Sequence, residues 1–235
     1  MSAETPINVV GGGAWGTALA NAAAGAGHPV TLWLRDAQAA AALQAQRENP
    51  RYLPGVPLHP AIRATADADA LAGARATLVV VPAQTMRGVL ETLRGPLASA
   101  GPVILCAKGI ERGSDSSMSA VAEQVLPPGV PVAVLSGPSF AADVARGLPT
   151  AVTLAAADAG LAAGLSALLS GPSFRLYHTD DVRGVEIGGA GKNVLAIACG
   201  ILVSYLFDYL YTELGWGWRP MFATPSWRPW RWPSG

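Results

Sequence analysis

Charge of one sign is missing from this sequence. Its 16 lysines and arginines are matched by 16 aspartates and glutamates, and charged residues make up only 14% of the 235 positions. A protein that tracks a nucleic-acid backbone carries a basic excess to neutralise phosphates, so no nucleic-acid partner is expected. Cysteine is equally scarce. Cys106 and Cys199 fit neither a metal-site nor a redox spacing; no metal is expected, and a reducing, cytoplasmic setting follows. The N-terminus lacks the charged flank, apolar run and small-residue cleavage site of a secretory leader. The longest apolar stretch, Val194 to Phe207, is interrupted only by Ser204. It is shorter than the ~20 residues needed to cross a bilayer, so it reads as a buried helix and no membrane span is expected.

What is present is apolar: 51% of the residues, enough for one large α/β domain, or one domain and part of a second. Strand-like and helix-like segments alternate. Ile7 to Val10, Val30 to Leu34, Thr77 to Val81, Val103 to Ala107 and Val132 to Ser136 read as strands. Trp15 to Ala26, Ala37 to Gln46, Thr85 to Leu93, Ser116 to Val125 and Phe140 to Arg146 read as helices. Asn49 to Pro60, with four prolines and a glycine, reads as a loop. Runs such as Leu78-Val79-Val80-Val81 lack any polar alternation, so both their faces are buried, as in a parallel sheet covered by helices. The expected class is therefore α/β. The end of the chain differs in composition: five of the seven tryptophans (Trp216, Trp218, Trp227, Trp230, Trp232) fall in the last twenty residues, with no helical or strand period.

Gly11-Gly12-Gly13-Ala14-Trp15-Gly16 satisfies G-x-G-x-x-G through Gly11, Gly13 and Gly16. The first glycine permits a tight turn, the second lets backbone approach a pyrophosphate, and the third lets the helix sit close to the strand. The following helix would aim its free N–H groups and positive end at the phosphates. Because the pattern follows a strand and opens a helix, it points to a Rossmann-type, doubly wound sheet holding NADP or NAD. At the end of the second strand, where an acid would bond a ribose 2′-hydroxyl, stand Arg35 and Asp36. Arginine suits a 2′-phosphate, so the reading leans to NADP(H) and leaves NAD(H) open.

Three further stretches stand out, the first two of them where open α/β sheets bind ligands. Lys108 follows a strand's carboxyl end in Ala107-Lys108-Gly109-Ile110-Glu111. Ser136-Gly137-Pro138-Ser139-Phe140-Ala141 follows another, and its small residues let an anion meet backbone N–H groups. Gly188-Gly189-Ala190-Gly191-Lys192-Asn193 sets a second lysine at the approach to an apolar helix. A partly desolvated lysine near another cation can exchange protons near neutrality.

Taken together, these residues resemble the bacterial NAD(P)-dependent glycerol-3-phosphate dehydrogenases, whose pattern begins G-x-G-x-W-G-T-A-L-A, here Gly11 to Ala20. The likeness continues through Asn49 and Arg51-Tyr52-Leu53-Pro54-Gly55, Lys108 to Glu111 and Ser136 to Ala141. It runs on through Gly147 to Ala151, Phe174-Arg175, Gly184 to Glu186 and Lys192-Asn193-Val194. The resemblance implies reversible reduction of dihydroxyacetone phosphate to sn-glycerol 3-phosphate, for glycerophospholipid synthesis in the cytoplasm. It implies cofactor contacts from Ala14, Trp15, Arg35, Lys108 and Ala141. Lys108, Gly137 and Ser139 would hold substrate, with Lys192 as the proton-exchanging base, Asn193 beside it, and a homodimer left open. In the family the lysine–asparagine helix leads into a larger helical domain, and nothing from Ile201 onward matches it. The implied organisation is a Rossmann domain at 1–183, the start of a helical substrate domain at 184–200, and an anomalous tail at 201–235. That is the arrangement of a chain truncated or frame-shifted after about residue 200. Two alternatives stand beside it: a non-catalytic NAD(P)-binding fragment, and another Rossmann hydroxyacid dehydrogenase.

Overall fold

Short runs of Val, Ile and Leu that show no polar alternation can only be satisfied in a sheet shielded on both sides, and the chain builds one. The computed structural model describes residues 5–212, apart from the side chains of residues 193, 194, 207, 208 and 210–212. In chain order the elements are β1 (Ile7–Val10), α1 (Ala14–Gly25), β2 (Val30–Trp33), α2 (Ala37–Gln46), β3 (Glu48–Asn49), β4 (Leu53–Pro57) and β5 (Ile62–Thr65). Then follow β6 (Ala76–Val79), α3 (Met86–Ser99), β7 (Val103–Leu105), α4 (Met118–Val125), β8 (Val132–Ser136) and α5 (Ala141–Ala145). The last are β9 (Thr150–Ala155), α6 (Ala159–Leu169), β10 (Phe174–Thr179) and α7 (Val182–Thr212). Eight strands form one sheet in the order β10-β9-β8-β7-β6-β1-β2-β5. All pairs are parallel except β8 with β9. The expected doubly wound, mostly parallel sheet is therefore present, with its order reversing between β1 and β6.

Alternate strand residues feed two cores. Ile7, Val9, Leu78 and Ile104 pack toward α1, α2, α5 and α6. Val10, Val79, Val103 and Leu105 pack toward α3 and α4. On α3, Met86, Leu90, Leu93 and Leu97 repeat at helical spacing and are fully buried, each worth roughly 1.5–3 kcal/mol of transfer free energy. The sequence suggests that this helix stops at Leu93, before Gly95-Pro96. It continues to Ser99 with Pro96 inside, because another turn buries Leu97.

The segment Asn49 to Pro60, expected to be a loop, contains the antiparallel pair β3–β4. Its prolines reduce pairing, yet Leu53 and Val56 are buried and hold the hairpin onto the domain. Beyond Arg146, where the sequence reading names no further elements before the apolar stretch, β9, α6 and β10 complete the sheet.

Two compact units divide the chain, Met1–Ala190 and Gly191–Gly235. Residues 201–212, set apart as tail by composition, continue α7; the tryptophan-rich remainder lies outside the described residues. Val194 to Phe207 is helical as expected. However, Leu195, Ile197, Ile201 and Leu202 are more than half exposed, because nothing described within the second unit covers that face. No single described helix is long and apolar enough to cross a membrane.

Candidate functional site

The strand order reverses between β1 and β6, and the carboxyl ends of strands at such a reversal are where doubly wound sheets take ligands. There the Gly11 N–H donates to the Trp33 carbonyl at 2.9 Å and the Val80 N–H to the Val10 carbonyl at 2.8 Å. Gly11 has φ +116°, and a Cβ there would strike the Val80 carbonyl. A Cβ on Gly16 would strike the Gly11 carbonyl. These two glycines allow strand, turn and helix to meet. Gly13 is different: a Cβ on it would meet nothing within 4 Å. Gly13 is also the N-cap of α1, with no side-chain cap and no acid in the first turn. Helices α2, α4 and α6 are each capped by a side chain, from Asp36, Ser117 and Asp158, whereas α3 and α5, like α1, are not. The first turn of α1, opened by Ala14 and Trp15, thus presents uncapped N–H groups and a positive dipole end to open space. Residues of this kind fit a diphosphate.

At the end of β2, Arg35 is exposed. Asp36 caps α2, its Oδ1 accepting from the N–H groups of Gln38 (2.8 Å) and Ala39 (3.2 Å). The two residues read together from the sequence therefore have different surroundings: the acid serves its own helix, and the arginine faces outward.

Two strands away from β1, Lys108 leaves the end of β7 and donates from Nζ to the Gly137 carbonyl at 3.0 Å. The structure thus brings together Lys108 and the segment after β8. A Cβ on Gly189, near the start of α7, would lie 2.8 Å from Ser136 Oγ and 3.5 Å from Lys108 Cγ, so α7 passes closely over both. The loop carrying Lys108 is held from α3 and the turn before it. Gln84 Nε2 donates to the Ile110 carbonyl at 2.8 Å. Arg87 grips Glu111 through Nε and Nη2, the shortest contact being 2.8 Å. The Arg87 guanidinium and the Ser114 hydroxyl hold the Glu111 carboxyl below the usual carboxylate range. Glu186 on α7 accepts from the Ser119 N–H (2.8 Å) and hydroxyl (2.7 Å), fastening α7 to the start of α4. Burial pushes the Cys106 thiol up, against a smaller opposing effect of Lys108, leaving it inert.

Ser139 supplies a second mark of a ligand. Its hydroxyl is shielded from solvent and has no hydrogen-bond partner, a state native proteins rarely leave without purpose. Ser139 helps line a pocket of about 200 Å³ with Phe140, Asp143, Leu148, Pro149 and Thr150. Ala141 opens α5, which packs beside α1. Lys192 lies on α7 in the second unit; the Asn193 side chain is outside the described residues. Among the described residues no group of His, Cys, Asp or Glu could hold a metal ion.

Sequence reasoning missed Arg87, whose position on an amphipathic helix gives it no signal. It also gave Asn49 no role beyond a motif match. Asn49 is 5% exposed, and its amide reaches the glycine turn.

A family model described as the N-terminus of NAD-dependent glycerol-3-phosphate dehydrogenase matches residues 6–162. The chain is 92% identical over 202 residues to a protein of Methylobacterium radiotolerans named glycerol-3-phosphate dehydrogenase (NAD(P)+), covering 86% of this chain and 61% of the relative. A protein of the same name from Beijerinckia indica is 61% identical over 196 residues, covering 83% and 58%. A crystal structure of glycerol-3-phosphate dehydrogenase from Coxiella burnetii superposes with TM-score 0.77 at 39% identity, covering 84% of this chain and 61% of that one. The chain thus spans about 60% of the length of these relatives.

Proposed function

The chain belongs to the glycerol-3-phosphate dehydrogenase family, and from that premise we propose that it binds NADP(H) or NAD(H) and serves the interconversion of dihydroxyacetone phosphate and sn-glycerol 3-phosphate. One observation carries the cofactor half: the uncapped start of α1, with open space over Gly13. Gly11, Gly13, Ala14, Trp15 and Gly16 would hold the diphosphate. Arg35 would meet a 2′-phosphate, which makes NADP(H) the favoured cofactor, because the Asp36 carboxylate is already engaged with α2 and leaves the arginine as the nearby charge. Ala141 would line the nicotinamide side.

A bound nicotinamide supplies or accepts the hydride at the substrate's carbinol carbon. The chain's own residues do the rest. Lys108 brings an ammonium to the strand ends beside Gly137 and would attract both cofactor and substrate phosphate charge. Ser139 offers its unpartnered hydroxyl to the substrate. Lys192 would give a proton to the carbonyl oxygen during reduction and recover it during oxidation, with Asn193 orienting the substrate beside it. The setting would be cytoplasmic and the product a glycerophospholipid precursor; a homodimer is compatible with this reading.

The test is a fluorescence titration with NADPH and NADH, followed by absorbance at the nicotinamide band after adding dihydroxyacetone phosphate. Binding with oxidation, lowered ~10²–10⁴-fold by Lys192→Met, supports the full reading. Binding without oxidation supports only a nucleotide-binding role. A folded chain that ignores both cofactors at millimolar concentration overturns it.

A further inference from the structure

We propose that Asn49 is a positioning residue for the cofactor diphosphate, acting through the Gly12–Gly13 peptide; the idea rests on the NAD(P)-binding reading above. The Asn49 amide nitrogen donates to the Gly12 carbonyl at 2.9 Å and to the Thr17 hydroxyl at 2.8 Å. A carbonyl oxygen can only accept, so the nitrogen end of the amide must face Gly12. In a trans peptide the C=O of one residue and the N–H of the next point in opposite directions, and no described peptide is cis. Drawing the Gly12 carbonyl toward the hairpin therefore turns the Gly13 N–H away from it. That N–H has no protein partner among the described residues, and the space beside Gly13 Cα is open.

The hairpin is suited to act as a fixed brace. Asn49 and Thr17 are both buried, at 5% and 0% exposure. The Glu48 carboxylate accepts from the Gly55 N–H at 2.8 Å and closes the turn. Asn21 on α1 donates to the Pro57 carbonyl at 3.1 Å and accepts from the His59 N–H at 2.9 Å. Two points of α1 are thus tied to one hairpin, and the glycine turn, which has no side chains of its own, takes its orientation from the Asn49 amide.

The experiment compares Asn49→Ala and Asn49→Leu with the unaltered chain, using NADPH and adenosine 2′-monophosphate, which keeps the ribose phosphate and lacks the diphosphate. The expected result is a rise in the NADPH dissociation constant of about tenfold or more, as for a lost hydrogen bond to a charged group. Adenosine 2′-monophosphate should change less than twofold. Equal weakening of both ligands, in step with a fall in Tm, would mean a merely structural residue and overturn the idea. Unchanged NADPH binding would overturn it too. If neither variant folds, the amide resonances of the unaltered chain decide: Gly13 N–H should move strongly on NADPH addition, and a static Gly13 signal refutes the assignment. A chain that does not bind NADPH at all defeats the cofactor reading itself, and this inference with it.

Discussion

Gly13 and Gly16 stand three residues apart in one motif, yet the structure separates what each is for, and alanine at each site exposes the difference. Gly13 has φ −75° and ψ −179°, a conformation alanine adopts freely, and its new methyl would meet nothing within 4 Å. Gly13→Ala should leave folding intact and add roughly 0.4–1 kcal/mol by restricting the unfolded chain, a rise in Tm of about 1–4 °C. The methyl would occupy the space over the start of α1, where the proposed diphosphate site lies. Losing one charge-assisted hydrogen bond there costs about 1.5–3 kcal/mol, or roughly 10–100-fold in dissociation constant. Gly16→Ala does the reverse. Its methyl runs into the Gly11 carbonyl, a backbone atom that cannot swing aside like a side-chain tip. Overpacking costs about 1–3 kcal/mol, offset in part by alanine's helix preference of up to ~1 kcal/mol. A net loss of about 1–2 kcal/mol lowers Tm by roughly 3–6 °C. Thermal melts and NADPH fluorescence titrations of both variants measure the contrast. A Gly13→Ala chain that binds NADPH as tightly as the original would show that the open space is not the diphosphate site, and the reasoning would fail.

Other outcomes follow from the same geometry. Arg35→Ala should weaken NADPH about tenfold and NADH less than twofold; equal effects would remove Arg35 from the 2′-phosphate. Ser139→Ala deletes a shielded hydroxyl without a partner, so urea unfolding should show no loss of stability and a gain of up to ~1 kcal/mol. Calorimetric titration of dihydroxyacetone phosphate into the cofactor-bound chain should weaken at least about fivefold, and unaltered affinity would take Ser139 out of the site. Glu111 is held below the usual carboxylate range by Arg87 and Ser114. Its contribution to stability is therefore complete above the unfolded carboxylate pKa, about 4.3, and is lost as pH falls through its lower folded value. The stability difference between the original chain and Glu111→Gln should be constant near neutrality and shrink below about pH 4, read from urea midpoints; a gap that widens on acidification contradicts that sign.

The glycine turn, the alternating strands and the two strand-end segments were legible because each depends on local pattern. G-x-G-x-x-G states a backbone requirement directly, and Leu78-Val79 states burial on both faces. What was not legible depends on partners remote in sequence. The strands β9 and β10 carry polar residues such as Thr150, Thr153, Tyr177 and His178, which blur the apolar run. The hairpin at Glu48–Pro57 hides behind Pro50, Pro54 and Pro57, because its order comes from Leu53 and Val56 sinking into a core made by other elements. Asp36 reads from the sequence as a ribose ligand, and the bonds to Gln38 and Ala39 show that it caps its own helix. Arg87 and Asn49 act across 24 and 37 residues of chain, beyond any local period.

The glycine turn and the loop bearing Lys108 are braced by different chemistry, and this bears on how each responds to its surroundings. The glycine turn is held by a neutral amide that donates to a carbonyl and a hydroxyl, both buried with it. Such bonds neither titrate nor weaken with salt. The loop bearing Lys108 is held by the Arg87–Glu111 ion pair at 2.8 Å, with side chains 32% and 13% exposed. A pair so placed is screened by salt and released when the carboxylate is protonated. Acid or high ionic strength should therefore loosen the mount of Lys108 while the glycine turn keeps its shape. The glycine turn thus has a brace that neither acid nor salt releases. The salt bridge described between Arg87 and Glu111 instead supports the loop that carries Lys108.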